Sequence, residues 1–386
     1  MHTDNLNASH YSVRSQSLNG PLPISVISIP WMNETIEVCD FRMQYNVSNI
    51  NESSTLGLNR ELKLVGSSSE KPSVVPFNMS VFTNAMSSGF PENEVPQNND
   101  ALLAVQLPQS ACHPNLSEEK VDLVVVVHSC VYCFEKRQYS RETYMRSEQW
   151  NNFKIQFVFV VGLPKPNQMN TYNMHGVSVN LDDGPYDLST ETESFRVPTI
   201  KRLRNESVHH GDLLIGSFHD NIFNSTAKTM LGIRWASAFC GDKSSLYLFL
   251  KDGYTLHPNN TMEMVRRIMK QPDHLSSAGG NLIVKEPVVR EDRVRAISSH
   301  EYPWDEYHNR FRDDSYILGA DVLHNVSIVM SFTPNIRFHD VFLALALERL
   351  PFQLIHLYQF QRSDDGALNV ASRAILEPSK AVEQFW

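Results

Sequence analysis

Three short segments of this chain combine reactive residue types with positions a protein can use. His128-Ser129-Cys130 follows the β-branched run Val121–Val127. Lys251-Asp252-Gly253 follows the apolar run Leu246–Leu250. His339-Asp340 opens a segment that is apolar nearly all round, Asp340–Leu350. In open parallel sheets ligands bind beyond the carboxyl ends of the strands, so the first two segments stand where a site is expected. An acid just past a buried strand can hold a divalent cation that grips a diphosphate, which is one reading of Asp252; an ordinary Asp-Gly turn is the other. An acid at the start of a buried helix can serve as a general base, which makes Asp340 a candidate; a helix cap or dipole partner is the plain alternative.

Other clusters carry less. Cys130-Val-Tyr-Cys133 has the spacing of a redox pair, but no Trp precedes it and no second such pair completes a zinc site, so packed or disulfide-bonded cysteines are the simpler reading. His209-His210 with His219 lacks metal-ligand spacing and reads as a solvated loop. There is no G-x-G-x-x-G and no Walker lysine loop.

The elements that must position these residues alternate between strand and helix. Val121–Val127 and Ile155–Val161 read as strands buried on both faces, with the helical stretch Phe134–Arg146 between them. Strand, helix, strand in this spacing is a βαβ unit and hence a parallel sheet. The turn-rich stretch 164–198 reads as irregular. Asp212–Ile215 is a short strand. In Thr226–Cys240, Leu231, Trp235, Ala238 and Phe239 share one helix face. Leu246–Leu250 is a further strand, Thr261–Lys270 a helix, Asn281–Val289 a strand, and Gly319–Met330 and Asp340–Leu350 helices. An α/β domain over 119–386 follows. Residues 1–118 read instead as an irregular, stem-like region with short strands at Ile24–Ile29 and Leu62–Val65.

Composition narrows the class. With 34 Lys+Arg against 43 Asp+Glu the net charge is −9, and without basic clusters the chain is a poor candidate for nucleic-acid binding. No apolar run approaches the roughly 18–20 residues of a membrane span, and the N-terminus shows no leader pattern. Yet glycosylation sequons stand at Asn7, Asn33, Asn46, Asn51, Asn78, Asn115, Asn205, Asn224, Asn259 and Asn325. Chance predicts roughly four from the Asn and Ser/Thr content. The excess points to the secretory lumen, unless it is compositional accident. Five cysteines leave at least one unpaired in a monomer.

Four blocks, in order, resemble the β-1,3-glycosyltransferases of the family 31 type, the galactosyltransferase and N-acetylglucosaminyltransferase group. VDLVVVVHS (121–129) with RQYSRETY (137–144) is similar to the family's first strand and R-E-T-W helix, Tyr144 standing where Trp is usual. Glu206 with GDLLIGSFHDNIFNSTAKT (211–229) looks like its acidic block ending in N-L-T-x-K-T. YLFLKDGY (247–254) sits at its D-x-D strand end. YPWDEYHNRFRDDSYILGADV (302–322) with HDVFLAL (339–345) looks like its acceptor region and E-D-V-Y helix.

The resemblance implies a GT-A-type, Rossmann-like fold with a mainly parallel sheet flanked by helices. It implies a Golgi membrane protein whose anchor lies upstream of Met1. Its lumenal domain would move galactose or N-acetylglucosamine from a UDP-sugar to a glycan hydroxyl in β-1,3 linkage, with inversion. Asp340 would be the base, with His339 as helper or filler. Lys251, Asp252, Lys228 and Arg141 would lie at the donor, Arg141 more as an anchor than a catalyst, and Tyr302, Trp304 and Tyr307 at the acceptor. Mn²⁺ would bridge the donor diphosphate, but its motif reads Lys251-Asp252-Gly253 and keeps only the middle acid. Ser217 likewise replaces the usual Asp before Phe218. Two expectations follow: an ammonium at Lys251 substitutes for the metal, or the chain is a degenerate relative with a binding or scaffold role.

Overall fold

Buried β-branched and aromatic strands build the centre of the molecule. The computed structural model describes residues 97–98, 102–112, 120–164, 193–291 and 295–360, and the backbone of five further strands. In chain order the strands are β1 (Ile24–Ile29), β2 (Glu34–Asp40), β3 (Leu103–Gln106), β4 (Leu123–His128), β5 (Ile155–Leu163), β6 (Thr171–Met174) and β7 (Val177–Asn180). They continue with β8 (Leu213–His219), β9 (Leu246–Lys251), β10 (Tyr254–Leu256), β11 (Ser277–Ile283), β12 (Arg310–Gly319), β13 (Gln353–His356) and β14 (Ala371–Arg373). The helices are α1 (Phe134–Glu142), α2 (Glu193–His210), α3 (Ser225–Cys240), α4 (Pro258–Met269), α5 (Ala320–Val329) and α6 (His339–Glu348).

Ten strands form one sheet in the order β1-β2-β3-β8-β5-β4-β9-β12-β11-β13. Its centre, β8-β5-β4-β9, is parallel. The flanks are antiparallel, apart from β13, which runs parallel to β11. The chain steps from β4 outward to β5 and β8, then crosses back to place β9 on the other side of β4. The crevice between the carboxyl ends of β4 and β9 is therefore the topological switch point.

Strand alternation sends side chains to two cores. Val124, Val126, Tyr247 and Phe249 pack on the face covered by α3, α5 and α6. Leu123, Val125, Val127, Leu248 and Leu250 pack on the opposite face, with Phe134 of α1 and Met262 and Val265 of α4. α6 is buried from Val341 to Leu347, as its all-round apolarity requires.

Several expected elements differ. The first helix ends at Glu142 rather than Arg146, because Thr143 leaves helical geometry and a 3₁₀ turn follows at 147–150. The stretch 164–198 contains the β6–β7 hairpin and the start of α2. α2 is mostly polar, so it has no apolar period to announce it. The strand expected at 281–289 lies at Ser277–Ile283 and includes Gly279 and Gly280, where a Cβ would fall 2.5 Å from Leu357 and 2.8 Å from Phe311. β12 was concealed by its charged start, Arg310-Phe-Arg-Asp-Asp. Leu62–Val65 lies outside the described residues, as does the boundary at 118. The sheet nevertheless takes β3 from before that boundary, and Leu102, Leu103 and Ala104 are buried.

Cys112 and Cys240 form a disulfide that ties the segment after β3 to the end of α3, across 128 residues of sequence. Replacing both with Ser is expected to lower stability by about 2–4 kcal/mol. Urea unfolding of the oxidised protein measures it, and an unchanged midpoint would contradict it. Cys130 and Cys133 remain buried thiols.

Candidate active site

The parallel strands deliver two residues to the switch point, and the start of α6 brings a third. His128 and Lys251 end β4 and β9 and are direct register partners. Each continues the alternation of the α3 face, His128 after Val126 and Lys251 after Phe249. α3 approaches closely there: a Cβ on Gly232 would lie 3.4 Å from the His128 ring nitrogen. The His339 ring, from the start of α6, meets His128 edge-on at 6.3 Å between centroids. Asp340 follows, beside a small cleft lined by Arg310, Phe311, Tyr316, His339 and Leu343. Its carboxylate is ion-paired with Arg310, which also pairs with Glu286. The Arg310 guanidinium lies 4.8 Å over the Tyr307 ring.

Asp252 lies on the opposite face. Its Oδ2 accepts hydrogen bonds from the Ser129 hydroxyl at 2.9 Å and the Cys130 amide at 3.1 Å, and Lys136 stands 3.7 Å from Oδ1. The residue is 2% exposed. Lys228 is equally buried; its ammonium donates to Asp220 and to the Ser129 carbonyl, both at 2.6 Å. Asp220 in turn accepts from the Gly162 amide at 3.0 Å. Both acids beyond the parallel strands are therefore engaged in fastening those strand ends.

Beneath α1 lies a buried ion network. Arg137, wholly buried, grips Glu206 through two bonds of 2.8 and 2.7 Å and donates to the Cys130 carbonyl at 2.6 Å. Arg141 holds Asp212 at 2.7 and 2.8 Å and Glu206 at 2.8 Å. Burial alone would raise the Glu206 pKa. The bond and charge of Arg137, with the charge of Arg141, outweigh it and hold the carboxyl below its ordinary value. The arrangement makes Arg141 an anchor of α1.

Of the aromatic candidates, Tyr302 is fully buried and bonded to His308 at 2.5 Å, with its phenol pushed up to about 12 by burial. Trp304 packs 4.8 Å from it, and the Tyr307 hydroxyl accepts from the Val289 amide at 3.2 Å. These rings stiffen the loop before β12. The Cys133 thiol is hydrogen-bonded to Cys130, and that hydrogen bond, burial and the Asp252 charge all push it up, away from the thiolate a redox pair needs.

Residues 196–358 match the model of the galactosyltransferase family. The similarity to galactosyltransferases lies in this span, less than half of the chain. It is 32% identical over 158 residues to Beta-1,3-galactosyltransferase brn of Drosophila melanogaster, covering 40% of this chain and 48% of that one. To human Beta-1,3-galactosyltransferase 5 it is 31% identical over 159 residues, 41% of this chain and 50% of the relative. A longer match, 24% over 229 residues, joins it to human UDP-GlcNAc:betaGal beta-1,3-N-acetylglucosaminyltransferase 9, with 59% and 52% covered. The chain spans about half the length of the curated relatives it matches.

The matched span contains Lys251 and His339, which adjoin His128, and Asp340, whereas β4 and α1 lie outside it. Missed from sequence were Arg137, Asp220, Glu286 and Arg310. Arg137 and Arg141, four apart on one helix face, were the one available signal. The described residues do not fit the Mn²⁺ that the resemblance implies. Among the described residues no three His, Cys, Asp or Glu side chains come together as a metal site, and the surviving motif acid Asp252 faces Ser129 and Cys130. Nor, among those residues, is any helix long and apolar enough to cross a membrane.

Proposed function

We propose that this protein transfers galactose or N-acetylglucosamine from a UDP-sugar to a glycan hydroxyl in β-1,3 linkage, with inversion. The observation that carries the reading is Asp340, a carboxylate at the mouth of the cleft on the same face as the switch point. A donor diphosphate at the β4–β9 crevice would present its anomeric carbon toward α6. The acceptor hydroxyl would attack from the opposite side, its proton passing to Asp340. Arg310 holds that carboxylate in place and Glu286 holds Arg310. His339 lines the cleft next to the base.

The secretory lumen and its Golgi membranes are the compartment this reading requires. The disulfide Cys112–Cys240 supports it, since such bonds persist in oxidising compartments. Of the sequons in the described residues, Asn205 and Asn259 are exposed and Asn325 is half-buried in α5. The Asn224 amide donates to the His219 carbonyl at 2.9 Å. Asn7, Asn33, Asn46, Asn51, Asn78 and Asn115 lie outside the described residues.

The engagement of Asp252 also favours a second reading, a relative that binds donor or glycan without turnover. One assay separates them: UDP release and product formation from UDP-galactose and UDP-N-acetylglucosamine, with β-galactosyl and N-acetylglucosaminyl acceptors. Transfer to the acceptor 3-hydroxyl is the expected result. Donor binding with no transfer from either sugar would establish the second reading instead.

A further inference from the structure

The resemblance calls for a dication at the end of β9, and this chain's residues are arranged for something else. We infer that the donor diphosphate is bound at the β4–β9 switch point by the Lys251 ammonium, without a divalent cation. The inference rests on the reading above, that the donor is a uridine diphosphate sugar.

Three observations carry it. First, a hard cation needs several oxygen ligands converging on one point. The acids beyond the parallel strands point elsewhere: Asp252 accepts from Ser129 and Cys130, and Asp220 pairs with Lys228 and the Gly162 amide. The second oxygen of Asp252, Oδ1, faces the Lys136 ammonium at 3.7 Å rather than other acid oxygens.

Second, the residue at the crevice is itself a cation. β9 pairs Lys251 with His128 on β4, and alternation places Lys251 on the face shared with His339 and Asp340, away from Asp252. Lysine binds phosphate as a compact point charge. An ammonium on this face offsets charge that builds on the leaving diphosphate.

Third, the position where the metal motif's last acid would project is open. A Cβ on Gly253 would meet nothing within 4 Å. The space for a carboxylate exists, so the absence of one is a matter of residue choice rather than crowding. That makes the inference reversible by mutation.

Calorimetric titration of UDP into the purified chain, once with excess EDTA and once with Mn²⁺, tests it. The expected result is equal affinity in both buffers. Lys251→Ala and Lys251→Met, which lose the charge, should weaken binding about tenfold or more in both buffers, the size of one charged hydrogen bond. Lys251→Met keeps the apolar stem, so a packing loss in the alanine variant is recognised. The double variant Lys251→Asp with Gly253→Asp should bind UDP only when Mn²⁺ is present. Wild-type binding that requires Mn²⁺ overturns the inference and leaves the donor reading standing. Metal-free binding unaltered in both Lys251 variants also overturns it. If UDP binds in neither buffer, the donor reading falls and the inference with it.

Discussion

An Asp340→Asn protein is expected to lose transfer activity by about 10²–10⁴-fold, with UDP binding and folding retained. The amide has the carboxylate's shape and its oxygen can still accept a bond from Arg310. It cannot take a proton from an attacking hydroxyl. The competing role for Asp340 is structural: it lies in the first turn of α6, where a negative charge meets the helix dipole. That role is worth only about 0.3–1 kcal/mol, and α6 is held chiefly by the burial of Val341 to Leu347. Initial rates at saturating donor, taken beside a thermal melt, separate the two. A rate within a few-fold of wild type would remove Asp340 from the chemistry. A melt depressed by many degrees would make it a structural residue.

Glu206→Ala is expected to destabilise the fold by about 3–5 kcal/mol, the cost of leaving a buried charge without its partner. Arg137 is wholly buried and loses both its carboxylate bonds, keeping those to the Cys130 and Val131 carbonyls and the Ser129 hydroxyl. Arg141 suffers less because Asp212 still holds it. Denaturant unfolding of variant and wild type measures the difference, and a loss below about 1 kcal/mol would place the pair in the class of exposed ion pairs. The pH dependence has a definite sign. The Glu206 carboxyl is held below its ordinary value of 4.5. Its contribution is complete above that unfolded-state value and is lost as pH falls through the lower folded-state value. In Glu206→Ala, stability should therefore fall less steeply below about pH 4.5 than in wild type.

Both sites join residues that are distant in sequence. Arg137 meets Glu206 across 69 residues, and Ser129 meets Asp252 across 123. Nothing local specifies such pairs. The motif Lys251-Asp252-Gly253 announces a strand end, but not that strand alternation turns Lys251 toward α6 and Asp252 toward Ser129. The segment Asn224-Ser-Thr-Ala-Lys228-Thr is legible as a helix start. In the fold the Ser225 and Thr226 hydroxyls donate to the carbonyls of Arg337 and Ile336. That fastens α3 to the loop delivering His339 and Asp340, a positioning role no spacing rule would assign.

The sequence by itself determined the buried parallel strands and the apolar helices α3 and α6, and its blocks carry the resemblance to the β-1,3-glycosyltransferases. Each of these is written in a local period, two residues for a strand and 3.6 for a helix, or in a contiguous motif. Only the tertiary structure decided which partner each charge takes. It sets Asp252 against Ser129 and Cys130, Asp220 against Lys228, Arg141 against Asp212 and Glu206, and Asp340 against Arg310, and it places Lys251 beside His128 at the switch point. The physical reason is that a charge brought near a buried strand end must find a counter-charge or hydrogen bonds. Which partner it finds depends on sheet order and on the face each residue occupies.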